Sequence, residues 1–261
     1  MILDKLLNDY DLWLWDFDDT LINTITYYIK SMDTDDILKR SNKELAIEIP
    51  NWHFFVKFIY YLVKNGKHVG IVSFGTYRII KAYMDRIFGI NQKLFTKNNI
   101  IALCRDKNDR PIEDIPRNKN VFIHRLMNLY RIKNYKKVIL FDDNSTNIAD
   151  ASYIGITSVK IKGRNPQDIN NKGNFFSQTT IKNITNQLYN NKSSNKQNNI
   201  INNNIFSSIG SRKVGLLNKI NKHEMGKILE GFSCPCNNTY RNFFIIIIVS
   251  IIIFWLIIRF T

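Results

Sequence analysis

The sequence predicts an α/β fold, a Rossmann-like parallel sheet with helices on both faces, and two observations carry that prediction. Short apolar runs alternate with stretches in which apolar residues recur at helical spacing, the rhythm of β-α-β units. Two of those runs, Leu12-Trp13-Leu14-Trp15 and Val138-Ile139-Leu140-Phe141, stop on closely spaced carboxylates. Ligands of such sheets bind outside the carboxyl ends of the strands, so these acids fall where a site is expected.

Taken in order, residues 12–17 read as a buried first strand delivering acids at its end. From Pro50, Trp52, Phe55, Val56, Ile59, Leu62 and Val63 recur at helical spacing, and Gly66 stands where a C-terminal cap belongs. His68–Ser73 reads as a second strand ending on polar Ser73, and Tyr77–Phe88 as a helix stopped by Gly89. A third strand is expected at Asn99–Leu103, a polar loop over Cys104–Asn118 and a helix over Val121–Ile132. Val138–Asp143 repeats the first strand's design, and Ile148–Ile154 and Thr157–Ile161 supply a last helix and strand. The folded domain is thus placed at 1–165.

Beyond it the composition turns to Asn, Lys, Ser and Gln, and residues 166–211 predict a disordered linker, Asn-rich from Asn183 to Asn204. Residues 212–231 mix Val214, Leu217, Ile220 and Ile228 with lysines, which suits a basic amphipathic helix. Phe243–Ile258 is apolar except for Ser250, so 241–260 predicts a transmembrane helix at the C-terminus. The N-terminus has no long apolar region and does not read as a signal peptide. Three cysteines form neither an even disulfide framework nor a four-ligand zinc pattern. A net charge of +15 calls for an anionic partner, whether nucleic acid, an acidic membrane face or a phosphorylated substrate.

The acids suit phosphoryl transfer to a carboxylate, which needs a nucleophile, an acid for the leaving group, a divalent cation and groups that hold the phosphoryl oxygens. Asp16 and Asp18, two apart on extended backbone, point the same way, so one can attack while the other supplies and recovers a proton. Thr20 is expected to brace the turn between them. Asp143 can meet Asp16 over Mg²⁺, which prefers oxygen ligands. Ser73 and a lysine entering a later helix would hold phosphoryl oxygens. Trp13 and Trp15 read as sheet-face packing, and His53 and His124 as bystanders in helices.

The order D-x-D-x-T after an apolar strand, then Ser, then Lys, then Asp-Asp after another apolar strand resembles the haloacid dehalogenase superfamily over roughly residues 10–165. Within it, Phe141-Asp142-Asp143-Asn144-Ser145-Thr146-Asn147-Ile148 looks like the fourth motif of the magnesium-dependent phosphatases with little or no cap. The resemblance implies Asp16 as nucleophile and metal ligand, and Asp18 as general acid/base and backbone-carbonyl ligand. It implies Asp143 as third ligand, Ser73 and Lys119 as phosphate holders, and Asp142 and Asn147 as support. Asn147 departs from the second acid common at that place, the segment between Ser73 and Lys119 is longer than in the smallest capless enzymes, and Lys107 is an alternative to Lys119. Short segments at both cap positions, with one turn and a short helix between Thr20 and Pro50, imply an open site. Such a site admits phosphate on a macromolecule, a phosphoprotein or a nucleic-acid end, and leaves small phosphorylated metabolites open as well, although much of the basic excess lies outside the folded part. A non-catalytic scaffold on the same fold is the contrasting expectation. A C-terminal span predicts a tail anchor with the catalytic domain cytosolic, and the sequon Asn144-Ser145-Thr146 inside the metal motif agrees, since a glycan there would obstruct the site.

Overall fold

Leu12, Trp13, Leu14 and Trp15 are all fully buried, as a strand must be when both faces of its sheet are covered. They form β1 (Leu12–Trp15), the middle of a five-stranded sheet with β2 (His68–Thr76), β3 (Ile100–Leu103), β4 (Val138–Asp142) and β5 (Thr157–Lys160). The computed structural model describes residues 2–23, 26, 33–105, 110–111, 114–163 and 175–194. All pairings are parallel and the order is β3-β2-β1-β4-β5. Leu12 stands opposite His68 on one side and Val138 on the other, and Trp15 opposite Ile71 and Phe141. That register brings the residues after Trp15 and Phe141 to the same edge.

Side chains alternate across the pleat. Trp13, Trp15, Ile71, Ile139 and Phe141 join one core with α1 (Ile2–Asp9), α4 (Trp52–Lys64) and α5 (Tyr77–Phe88). Leu12, Leu14, Val72, Val138 and Leu140 join the other with α6 (Asn120–Leu129) and α7 (Ser145–Tyr153). Trp15 stacks on Phe141 with centroids 5.5 Å apart, so the tryptophans are packing residues as expected. α4 ends at Gly66, whose φ of +71° needs no Cβ, and Lys67 N–H closes the turn on Leu62 O at 3.0 Å.

Four expectations need correction. α1 has no counterpart in the sequence reading. Between Thr20 and Pro50 stand two helices, α2 (Thr34–Lys39) and α3 (Asn42–Glu48), and α3 opens on a capping box of Ser41 and Glu44. These are tied to α5, where Tyr83 donates to Glu48 at 3.0 Å and Arg86 Nε to Arg40 O at 2.7 Å. β2 does not stop at Ser73 but runs to Thr76 through a register break: Val72 faces Ile101 and Thr76 faces Leu103, so the residues between leave the ladder.

The fourth concerns the linker placed at 166–211. Residues Gln178–Ser194 form a helix, α8; Phe175 is buried, and Phe176, Ile181 and Ile184 are buried against the sheet's first face. Phe176 meets Phe141 at 4.9 Å and Trp15 at 5.5 Å. Burying such a ring stabilises by roughly 1.5–3 kcal/mol, enough for a few apolar residues to fix an otherwise polar helix. The folded part therefore passes 165. The basic helix at 212–231, the span at 241–260 and Lys107 lie outside the described residues, and no described helix is long and apolar enough to cross a membrane.

Candidate active site

β1 and β4 are hydrogen-bonded neighbours, and Asp16 N–H donates to Phe141 O at 2.8 Å. This puts Asp16 beside Asp142 and Asp143, and carboxylate oxygens of the three lie within 4.8 Å of one another. Lys119, the residue before α6, projects between them. Its Nζ is 2.7 Å from Asp142 Oδ2 and 2.7 Å from Asp16 Oδ1. The lysine is 2% exposed, Asp142 is fully buried and Asp16 is 6% exposed.

The two acids touching Lys119 are treated differently. Asp142 Oδ2 accepts from Lys119, Oδ1 accepts from Asn144 N–H at 2.8 Å, and Asn147 Nδ2 reaches both oxygens at 3.1 and 3.2 Å. Every acceptor it has is in use. Asp16 Oδ1, buried beside the same ammonium, has no aligned hydrogen bond. The contact is an ion pair without hydrogen-bond direction.

Burial pushes the Asp16 carboxyl up to about 7; Lys119 opposes the shift, while Asp142 and Asp143 add to it. Asp143 is also raised, first by burial and then by Asp142. For Lys119, burial pulls downward, but Asp16 and Asp142 together outweigh it and the ammonium lies above its usual range. One lysine thus faces three crowded carboxyl groups, so the surplus is negative. An orphaned buried oxygen, a second carboxylate with capacity left and an excess of negative charge fit a hard divalent cation. Asp142, already saturated, is the poorest ligand of the three and the best support. The Asp18 side chain is not part of this cluster.

Asp18 is held from another direction. Thr26, fully buried, donates its hydroxyl to Asp18 Oδ1 at 2.7 Å, and its carbonyl accepts from Thr76 at the end of β2. Gly75 makes this contact possible: a Cβ there would sit 2.2 Å from Thr26 Oγ1, 3.1 Å from Asp18 Oδ2 and 3.2 Å from Ser73 Oγ. The bulge in β2 therefore sets Ser73 beside Asp18, and Gly75 N–H donates to Ser73 Oγ at 3.0 Å. Thr20 does not brace its own turn; its hydroxyl donates across the site to Asp143 Oδ1 at 3.4 Å. The turn is instead made by Asp19 in a left-handed conformation at φ +52°, and Gly163 lets the chain after β5 pass within van der Waals reach of Asp19 and Asp143.

Asp16, Asp18, Ser73, Lys119 and Asp143 thus converge on one sheet edge, with Asp142 and Asn147 behind them. The arrangement is the one that the resemblance to the haloacid dehalogenase superfamily implies. The motifs stand at the ends of neighbouring strands β1, β2 and β4, in the chain order read from the sequence. Lys119 stands between the acids, and Lys107 lies outside the described residues. The sequence reading missed Thr26 and Gly75; the glycine two residues after Ser73 was the available signal, whereas nothing in the pattern marks Thr26.

No family model and no curated protein matches the chain. Among solved structures, a candidate phosphatase from Clostridium difficile is similar at 20% identity, covering 68% of this chain and 99% of that one with a TM-score of 0.44. A haloacid dehalogenase-like hydrolase from Bacteroides fragilis is similar at 14% identity over 67% and 93%, TM-score 0.37. The HAD domain of a Legionella pneumophila effector protein follows at 13% over 70% and 95%, TM-score 0.35.

Proposed function

We propose that the chain hydrolyses phosphomonoesters with Mg²⁺ through an aspartyl-phosphate on Asp16, at an open site tethered to the cytosolic face of a membrane, and that its substrates are phosphorylated macromolecules such as phosphoproteins. The observation that carries the chemistry is the cluster at the ends of β1 and β4, where carboxylate oxygens of Asp16, Asp142 and Asp143 lie within 4.8 Å of one another and Lys119 stands 2.7 Å from Asp16. A buried carboxylate there stands beside a cation suited to a phosphoryl oxygen.

In the first step Asp16 attacks phosphorus, the ester P–O bond breaks, and Asp18 gives its proton to the leaving oxygen. Water then loses a proton to Asp18 and attacks the acyl phosphate, releasing inorganic phosphate and restoring Asp16. Lys119 and Ser73 hold phosphoryl oxygens through both steps, and Thr26 keeps the Asp18 carboxyl in place. Asp16, Asp143 and the Asp18 carbonyl would hold Mg²⁺, which supplies charge neutralisation between an anionic nucleophile and an anionic substrate.

The test is Mg²⁺-dependent release of phosphate from an aryl phosphate by the full chain, followed by a screen of phosphoproteins and 5′-phosphorylated DNA. Asp16→Asn is expected to lower turnover by about 10³-fold or more, a loss of about 4 kcal/mol in transition-state stabilisation. Undiminished activity in that variant would sink the assignment, and preference for DNA ends would move the substrate class.

A further inference from the structure

In a parallel sheet all strands start at one end, here the end opposite Asp16 and Asp142. The segments leading into β2, β3 and β4, residues 64–67, 93–99 and 131–137, contain eight Lys or Arg and no Asp or Glu. Two of the eight serve the fold: Lys67 pairs with Asp11 at 3.0 Å and Lys137 donates to Asn8 O at 2.8 Å. The other six, Lys64, Lys93, Lys97, Arg131, Lys133 and Lys136, are exposed, and none has a carboxylate partner among the described residues.

Among these cations lies a shallow cavity of about 350 Å³, lined by polar and aliphatic side chains alike. Leu129 and Val63 line it and are 47% and 38% exposed, a high exposure for aliphatic side chains set between charges. Tyr130 is stacked on His68 at 4.1 Å, which takes one face of its ring. Exposed cations interleaved with aliphatic side chains match the boundary between phosphate headgroups and acyl chains better than the surface of a nucleic acid. The acids at this end are Asp9 and Asp11, on the approach to β1, and Asp85 in the last turn of α5, which pairs with Lys81 and accepts from Gln92.

We propose that this end of the sheet docks on an anionic lipid surface, with Lys93, Lys97, Arg131 and Lys133 on headgroup phosphates and Val63 and Leu129 entering the interface. The proposal rests on the membrane part of the reading above and not on its chemistry. Docking by this end turns the catalytic edge away from the bilayer. At about 3.3 Å per strand residue the acids stand roughly 15 Å farther out, accessible to substrates in solution.

The experiment is lysine acetylation footprinting of the full chain, read by mass spectrometry, on phosphatidylcholine vesicles with and without phosphatidylserine. Lys93, Lys97 and Lys133 are expected to lose about fivefold or more of their labelling only when phosphatidylserine is present, an effect of roughly 1 kcal/mol or more. Lys39 and Lys43 on α2 and α3 should not change. The triple variant Lys93→Glu, Lys97→Glu, Lys133→Glu, read at Lys64 and Lys136, should lose the lipid dependence while circular dichroism stays the same. Vesicle association without this protection overturns the docking surface and leaves a tether intact. No association with either vesicle overturns both. Protection of the same lysines by an RNA oligonucleotide, with none on vesicles, overturns the lipid assignment in favour of nucleic acid.

Discussion

Asp16 and Asp142 end neighbouring strands of the same design, an apolar run closing on an acid, and both touch Lys119 at 2.7 Å. Their surroundings nonetheless differ in kind. Asp142 is bonded on both oxygens by a lysine, a backbone amide and an asparagine, whereas Asp16 keeps a buried oxygen without an aligned donor. The comparison separates a carboxylate that builds the site from one reserved for reaction. Buried polar atoms are ordinarily satisfied; among those here without an aligned partner, which include Nε1 of Trp13 and Trp15, Asp16 Oδ1 faces an ammonium. The Asp16→Asn test has the largest expected effect because it removes the reserved group and leaves its support in place.

Asp142→Asn should show the opposite balance. It cuts the better-bonded half of the ion-pair triad and leaves Lys119 with one uncertain partner in a dry environment, a change that costs about 3–5 kcal/mol when a buried pair is broken. Remaining contact with Asp16 favours the lower end of that range. Urea denaturation of the metal-free protein should therefore show a clear loss for Asp142→Asn and little or none for Asp16→Asn. Equal losses would mean that the two acids share one structural role.

Most of the framework was legible in the sequence because strand ends, acids and glycine caps have short-range signatures. The alternation of apolar runs with helical spacing located all five strands, and the two acidic strand ends located the site. What escaped depended on contacts between distant segments. α8 looked like linker since it is rich in Asn and Lys, yet Phe176 reaches Phe141 and Trp15 across the sheet face. Ser73 was singled out as the residue that ends a strand, whereas it stands in a bulge within β2, and Gly75 in that bulge makes room for Thr26. Thr20 pairs with Asp143, over a hundred residues away, where only its own turn was in view.

The pH dependence of stability sharpens the same contrast. Asp16 has an ordinary value near 3.8 and is raised by burial to about 7, so between these limits the folded protein holds a proton that the unfolded chain has released. Stability contributed by this group is complete below about pH 4 and is lost as pH rises toward 7. Asp143, also raised, acts in the same direction. In the absence of metal, the melting temperature of wild type minus that of Asp16→Asn should fall across this window, since asparagine cannot ionise. Mg²⁺ at neutral pH should recover the difference for wild type by taking the proton's place. Parallel melting curves for the two proteins at every pH would remove Asp16 as the strained group.

The smallest effect is expected one contact farther out, at the pair Thr26 and Gly75. Thr26→Val keeps the shape of the side chain and removes the hydroxyl that holds Asp18 at 2.7 Å. A neutral hydrogen-bonding group acting on a charged partner contributes on the order of 1.5–3 kcal/mol, and solvent access at half-buried Asp18 favours the lower figure, about tenfold in rate. Esters with poor leaving groups should lose most, because they depend on the Asp18 proton, while an activated aryl phosphate should lose little. Thr26→Ser should restore the rate. Gly75→Ala reaches the same contact by another route, since its Cβ would fall 2.2 Å from Thr26 Oγ1 and force the threonine off the acid. Agreement between the two variants in leaving-group dependence would show that Thr26 acts by holding Asp18; an equal loss on all esters would assign it to folding of the loop instead.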